Sequence, residues 1–422
     1  MTAREVVLNT LRVFRGGSDY RAELEKLSAQ LTDKRDVALA KQITLGVIRN
    51  LALCDYYISA VSNVKLNKIE PQALDILRSA VYQIAFLDKV PKSAAVNEAV
   101  AIARKKLNPR AVGFINAVLR KLSAALPELP QTSDNAAYIA LKYSHPEWLV
   151  REFISRLGET EAEALLLANN TEPPVYARVN TLKTTPERLT AELFALGIEA
   201  LASELSGTLE LRALRDLTTL VPFKEGEFFI QDPASTRAAL AVGAKPEQRI
   251  IDACAAPGGK TFAMAIEMQN KGEIIAFDTE KKVRLISEGA KRLRLSVVSA
   301  RAGDSSVCDE RLTKTADAVL VDAPCSGFGV IRKKPEIRFK TREKIAELPQ
   351  QALAILENCA SYVKPGGTLI YSTCTLLEAE NEGVVNAFLH TTTDYELESQ
   401  TTYWPHISDS DGFFVAVFGR KE

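Results

Sequence analysis

Between residues 73 and 87 the apolar side chains Leu74, Leu77, Val81 and Ile84 return at steps of three and four, the period of one helix face. Residues 3–14, 36–61, 94–105 and 111–122 carry a similar apolar density. Asp36 and Ser93 are placed to cap two of these helices, and Pro91 and Pro109 punctuate the joins. Residues 1–128 are therefore expected to form a compact all-α domain with short connections. Residues 127–134 (PELPQTSD) read as a linker, and residues 146–169 as a further helix that stops before Pro173-Pro174.

From residue 175 the period changes. Short β-like runs at 175–180, 208–211 and 227–230 flank an amphipathic helix at 186–196, so residues 135–232 predict a helical linker followed by a small α+β module. Beyond residue 249, apolar strands alternate with helical stretches. The strands read as 249–252, 273–278, 297–300, 318–322 and 368–371. Near-continuous apolar strands separated by helices predict a parallel sheet covered on both faces, an α/β Rossmann-like domain over 233–422. The last apolar run, 412–418, is expected to pair antiparallel at the sheet edge.

Composition narrows the class. With 422 residues, 46% apolar and 25% charged, the chain is long enough for two or three domains and too apolar for disorder. The N-terminus does not show a basic segment followed by an apolar one, and no apolar stretch approaches the roughly 20 residues that span a bilayer. A cytoplasmic protein without membrane contact is expected. Six cysteines without a Cys-x-x-Cys pair, together with three histidines, predict neither a disulfide framework nor a zinc site. Formal net charge is zero, so a polyanion would have to be met by local basic patches.

The chemistry concentrates at the predicted strand ends. Asp252-Ala253-Cys254-Ala255-Ala256-Pro257-Gly258-Gly259-Lys260 follows a strand and precedes a helix, so its amides can face a ligand. It is neither a Walker A loop nor the dinucleotide G-x-G-x-x-G pattern. Asp278 ends the next strand, where a carboxylate can accept from ribose hydroxyls, and Asp304 past the third strand can accept from an adenine amine. A carboxylate-rich adenosine site without a phosphate grip points to S-adenosylmethionine, with Cys254 lining the loop unreacted.

Two further turns hold thiols: Asp322-Ala323-Pro324-Cys325-Ser326-Gly327 and Ser372-Thr373-Cys374-Thr375. A thiolate that adds to C6 of a cytosine makes C5 nucleophilic towards a sulfonium methyl, and a second group must then assist release. Asp322 is placed to support the ring at N3. This chemistry leaves open which thiol attacks. Cys54, Cys308 and Cys359 lie outside such turns and read as packing residues, and His145 as a structural residue.

These motifs, with Arg178-Val179-Asn180-Thr181 and Gln231-Asp232-Pro233-Ala234-Ser235, closely resemble the RNA cytosine-C5 methyltransferase family over roughly residues 145–420. The all-α N-terminus is similar to the NusB-like RNA-binding domain of one subgroup. The resemblance implies Cys374 as nucleophile, Cys325 as the releasing group, and Asp322 at the base. It implies cofactor contacts from Cys254, Ala255, Ala256, Pro257, Gly258, Gly259, Lys260, Asp278, Asp304 and Asp322. It further implies a cytosine of 16S ribosomal RNA as target, cytosine 967 by analogy, with the RNA free or partly assembled. Phe328, Phe339 and Ser372 depart from the family's usual Leu, Trp and Ala.

A base inside a helix cannot present C6 to a buried thiol, so the target must be unpaired or flipped. The basic run after Cys325 (Arg332, Lys333, Lys334, Arg338, Lys340, Arg342, Lys344) is expected to hold flanking phosphates, with Arg178 as a further contact and Phe328 or Phe339 stacking. Two other basic sets are weaker candidates: residues 281–301, and Lys105, Lys106, Arg110, Arg120 and Lys121. A monomer is expected. The competing readings are the same chemistry on tRNA or another rRNA site, a DNA methyltransferase led by Cys325, and a non-catalytic RNA-binding factor.

Overall fold

The computed structural model describes residues 1–212 and 217–422. The chain divides into two compact units, residues 1–170 and 171–422.

The first unit is helical: Ala3–Arg15, Tyr20–Ser28, Lys34–Arg49, Leu51–Val61, Pro71–Phe86, Lys92–Lys106, Pro109–Ala124, Asn135–Lys142, Glu147–Leu157 and Glu159–Asn170. The predicted helix at 36–61 is two helices. Asn50 ends the first by directing both its backbone N–H and its side-chain amide to the Gly46 carbonyl. The predicted helix at 146–169 is likewise broken, at Gly158, whose φ of 77° lies in the left-handed region that glycine enters without strain. Asp33, not Asp36, caps its helix, its side chain accepting from Arg35 N–H. Ser93 falls inside the helix that begins after Pro91. Tyr20–Ser28 and Asn135–Lys142 are short helices that the periodicity did not reveal, started by the Asp19 and Asp134 caps. No single helix among the described residues is long and apolar enough to cross a membrane.

The core of this unit is close-packed around helix Pro71–Phe86, which buries Leu77, Ala80 and Val81. Helix Lys34–Arg49 approaches it at Gly46, where a Cβ would stand 1.9 Å from Cζ of Tyr82. Gly46→Ala should therefore destabilise the unit by about 1–3 kcal/mol through overpacking, despite the better helix propensity of alanine. The measurement is chemical unfolding followed by circular dichroism. Adding Tyr82→Leu should recover most of the loss, and additivity of the two changes would argue against direct packing.

The second unit holds two sheets. The smaller consists of β1 (Val175–Val179), β2 (Glu199–Ala202), β3 (Thr208–Arg212) and β4 (Phe228–Ile230), antiparallel in the order β2-β3-β1-β4 and covered by helix Pro186–Ala195. The larger comprises β5 (Arg249–Asp252), β6 (Glu273–Asp278), β7 (Val298–Ala302), β8 (Ala316–Asp322), β9 (Val363–Thr373), β10 (Tyr395–Tyr403) and β11 (Phe413–Arg420). Its order is β10-β11-β9-β8-β5-β6-β7, with β7, β6, β5, β8 and β9 parallel.

The last apolar run is antiparallel, as expected, but it is not the edge. β11 pairs with β9 on one side and β10 on the other. The edge strand β10 (YELESQTTY) is mostly polar and exposed, so hydropathy hid it. The order reverses at β5, whose neighbours are β6 and β8. At such a switch point the connections leave in opposite directions and open a crevice at the carboxyl ends of the strands.

Candidate active site

Asp252, Asp278, Asp322 and Thr373 are the carboxyl-terminal residues of β5, β6, β8 and β9, so the cofactor loop and both thiol motifs emerge on one rim of the larger sheet, whereas residues 178–181 and 231–235 belong to the smaller one. The loop 253–258 leaves β5, and helix Gly259–Glu267 starts directly after it. Gly258 has φ of 112°, and a Cβ there would lie 2.3 Å from the Phe262 ring, so only glycine makes this turn. Asp278 braces the loop by accepting the Ala256 N–H at 2.9 Å.

Lys260, 9% exposed in the first turn of the helix, reaches across the rim to Asp322 at 2.7 Å. The other Asp322 oxygen accepts from the Ser372 hydroxyl at 3.0 Å. The ammonium also lies 4.8 Å from the centre of the Phe413 ring. Burial alone would lower the Lys260 pKa; the adjacent Asp322 carboxylate instead holds it above its ordinary value.

Cys325 and Cys374 come together, Sγ to Sγ at 3.2 Å. They arrive from different loops, each held by its own contacts. Lys340 Nζ donates to the Ser326 carbonyl at 2.6 Å, and the Ser326 N–H donates to buried Glu380 at 2.7 Å. Asn381 accepts from the Thr373 hydroxyl and donates to the Thr375 carbonyl, fixing the turn that carries Cys374. A backbone bond from Gly329 N to the Cys374 carbonyl, 2.9 Å, ties one loop to the other. The shared proton divides the thiols. Accepting it from Cys325 holds Cys374 below the ordinary thiol value, against the effect of burial, with Lys260 adding to the lowering. Cys325 is pushed well above it, first by that same hydrogen bond and then by burial. Asp322 raises Cys374 more than Lys260 lowers it, so the asymmetry between the two thiols rests on the hydrogen bond between them.

Asp252 is fully buried. Its Oδ2 accepts from Thr261 at 2.6 Å, whereas Oδ1 has no hydrogen-bond partner among the described residues. Burial raises its pKa to about 7, opposed by the Thr261 hydroxyl and Lys260. Asp304 is exposed and bound to the Ser306 N–H and hydroxyl, which hold it below the usual carboxylate range. It lines a cleft of about 670 Å³ together with Ala253, Phe277, Gly303 and Ser305. Of the residues expected to hold the cofactor, only Asp304 lines this cleft; the carboxylates ending β5, β6 and β8, with the buried Asp252 Oδ1, lie along the same rim of the sheet and suit a nucleoside carrying a cation. Cys254 beside the loop is driven well above the ordinary thiol value by burial and is suited to packing.

The basic residues fare differently. Arg178 is 4% exposed, held by Glu267 at 3.1 Å and by the Ser206 carbonyl, and Arg338 is wholly buried, so neither presents its charge to a phosphate. Arg332 pairs with Asp409 at 2.7 Å. Lys333 bridges Asp232 (2.7 Å) and Asp411 (2.8 Å). Phe328 is buried, while Lys334, Phe339, Arg342 and Lys344 remain on the surface. In the set at 281–301, Arg284 is turned to Glu288, Arg294 to Glu225, Arg301 to Glu273, and Arg292 to the Phe223 ring. Cys308, expected to pack, is exposed, whereas Cys54 and Cys359 are buried. His145 is buried with Nδ1 at 2.7 Å from the Tyr143 carbonyl.

Sequence reasoning missed Glu380, Asn381, Asp411 and the bridging role of Lys333. A signal existed for two of them: Glu380 and Asn381 lie a few residues after Cys374, between otherwise apolar stretches.

Two predictions follow from the buried charges. Asp252 carries a folded-state pKa of about 7, well above the ordinary aspartate value of 3.8, so the folded state binds the extra proton and stability falls as pH rises through that interval. Asp252→Asn lacks this term; its stability relative to wild type should improve from about pH 4 to about pH 7 and then level off, as read from urea unfolding across pH. A constant difference would mean that the carboxylate ionises normally. Lys260→Gln removes the cation near Cys374, so the pH profile of Cys374 alkylation by iodoacetamide, followed by mass spectrometry, should move to higher pH. An unmoved profile would assign the lowering to Cys325 alone.

Comparison with known proteins agrees with this architecture. Residues 239–419 match the family described as 16S rRNA methyltransferase RsmB/F, residues 1–124 the NusB family, and residues 145–213 a ferredoxin-like domain of RsmF/B-like methyltransferases. A probable ribosomal RNA small subunit methyltransferase B of Bacillus subtilis is 33% identical, covering 100% of this chain and 99% of the relative. The ribosomal RNA small subunit methyltransferase B of Proteus mirabilis is 32% identical, covering 96% and 95%. Among solved structures, PH0851 superposes with a TM-score of 0.83 at 27% identity, covering 100% and 99%. NSun6 from Pyrococcus horikoshii with SFG superposes with a TM-score of 0.59 at 25% identity, covering 66% and 98%. Full-length likeness to these relatives, on a Rossmann-like sheet with its motifs along one rim, places the chain in the RsmB/F family of 16S rRNA methyltransferases.

Proposed function

We propose that the protein methylates C5 of one cytosine in 16S ribosomal RNA, cytosine 967 by the family resemblance, using S-adenosylmethionine. The observation that carries this reading is the 3.2 Å pair of thiols beside the Lys260–Asp322 ion pair. Cys374, the thiol favoured as thiolate, adds to C6. Asp322, held by Lys260 and Ser372, faces the ring at N3. The cofactor supplies the methyl group to C5. Cys325, after losing its own proton to solvent, takes the C5 hydrogen as a proton while the electrons of that C–H bond re-form the C5–C6 double bond and expel Cys374 as thiolate.

The loop from Cys254 to Lys260, with Asp278, Asp304 and Asp322, is the proposed cofactor site. The structure of NSun6 from P. horikoshii with SFG, 25% identical over 66% of this chain, supports that reading. The proposed division is a NusB-like RNA-binding domain at 1–128, a helical linker and RNA-binding α+β module at 135–232, and the catalytic domain at 233–422. Lys334, Arg342, Lys344 and Phe339 are the surface groups near the thiols that suit phosphates and an unpaired base. The protein acts as a cytoplasmic monomer on free or partly assembled RNA.

Covalent trapping tests the roles. Wild type, Cys325→Ala and Cys374→Ala are each incubated with S-adenosylmethionine and unmodified small-subunit rRNA and run on denaturing gels. Cys325→Ala should accumulate a protein–RNA adduct. Cys374→Ala should give none, and its methyl transfer should fall on the order of a thousandfold or more. The reverse pattern would make Cys325 the nucleophile. No adduct in either variant, with no methyl transfer by wild type, would overturn the substrate.

A further inference from the structure

Gln231 stands out as a buried amide that the described residues do not satisfy. It is 4% exposed, and neither its Nε2 nor its Oε1 has a hydrogen-bond partner among the described residues. A primary amide offers two donors and an acceptor, and native interiors rarely leave all of them unused. Its position is specific. Gln231 follows β4, and its backbone N–H is tied to the Tyr176 carbonyl at 3.1 Å. The next residue, Asp232, caps helix Pro233–Leu240 and is gripped by Lys333. The side chain so held lies across the start of helix Gly259–Glu267: a Cβ on Gly259 would come within 3.3 Å of Gln231 Nε2. Gly259 is thus the residue that lets the amide and the cofactor loop approach one another.

We infer that Gln231 is a further ligand of the cofactor, contacting the amino-acid end of S-adenosylmethionine; the inference rests on reading residues 254–260 as that cofactor's loop. The chemistry matches on both sides. The first amides of helix Gly259–Glu267 lack intrahelical acceptors, and their partial positive charge favours a carboxylate. The Gln231 amide next to them supplies donors to that carboxylate, and its carbonyl an acceptor for the neighbouring ammonium. A neutral amide suits a zwitterion better than a charged side chain would, because it serves both signs. Being fixed by β4 on one side and the Asp232 cap on the other, it pays little ordering entropy on binding. Its action is on cofactor binding and methyl placement, separate from the thiol chemistry.

The test is calorimetric titration of the full-length protein with two nucleosides. S-adenosylhomocysteine carries the amino-acid end, and 5′-methylthioadenosine lacks it. Gln231→Leu, close in size and without polar atoms, should weaken S-adenosylhomocysteine by about tenfold while leaving 5′-methylthioadenosine within about twofold, the loss of one or two hydrogen bonds to charged partners. Gln231→Glu keeps the shape but replaces the donors with a negative charge, and should lose at least as much. Wild-type affinity of both variants for S-adenosylhomocysteine would overturn the inference. So would equal weakening of both nucleosides, which would mark a packing role. Wild-type protein that binds neither nucleoside would overturn the cofactor reading itself, and this inference with it.

Discussion

The Lys260–Asp322 ion pair is the contact on which the geometry of the rim depends. One salt bridge ties the helix after the β5 loop to the end of β8. Through the Ser372 hydroxyl it reaches β9, and through the Phe413 ring it reaches β11. Lys260 is largely withdrawn from water and Asp322 is partly so, so removing either partner leaves a charge that the site solvates poorly. Cys374 is lowered first by the hydrogen bond from Cys325; Lys260 adds a smaller lowering, which the raising effect of Asp322 outweighs.

A second network supports the first from the opposite side. Asp232 accepts the Ala234 N–H as a helix cap, the Asp411 N–H at 3.0 Å and the Lys333 ammonium, joining three segments far apart in sequence. Asp411 is pushed up to about 7, by burial first and then by Asp232, with Lys333 opposing. Lys333 thus does for this corner what Lys260 does for the thiols: it offsets two carboxylates that would otherwise repel. The corner lies against the strand that carries Lys260's aromatic neighbour, Phe413, so the two networks share a backbone.

Charge and access to RNA take a different form from the one that a linear reading of basic residues suggests. A run of lysines and arginines next to a catalytic turn looks like a phosphate-binding arm. Folded, Arg338 is interior and Arg332 and Lys333 are spent on acidic partners, while Lys340 holds the Cys325 loop. Much of the arm is scaffold for the thiols, with Lys334, Arg342 and Lys344 left outside. In a chain of zero formal net charge, most basic side chains are matched by acids, and the few that face outward matter more than the total.

The sequence by itself determined the order of elements wherever burial imposed a period. The strands ending at Asp252, Asp278 and Asp322 are legible because both faces of a parallel strand are buried and must be apolar. The turn chemistry of Gly258 and of the loops bearing Cys325 and Cys374 is equally local. Edge strands were not legible: β10 is mostly polar, β2 is only four residues long, and both bury little. Nor were the partners of charged residues, because a lysine carries the same sequence signal whether it faces phosphate, as Lys334 can, or two aspartates, as Lys333 does. Only the tertiary structure decided which carboxylate sits beside Lys260, that the two thiols meet, and that Gln231 points at Gly259. Those relations join residues dozens of positions apart, and they are set by sheet order and loop packing, for which a single sequence carries no periodic signal.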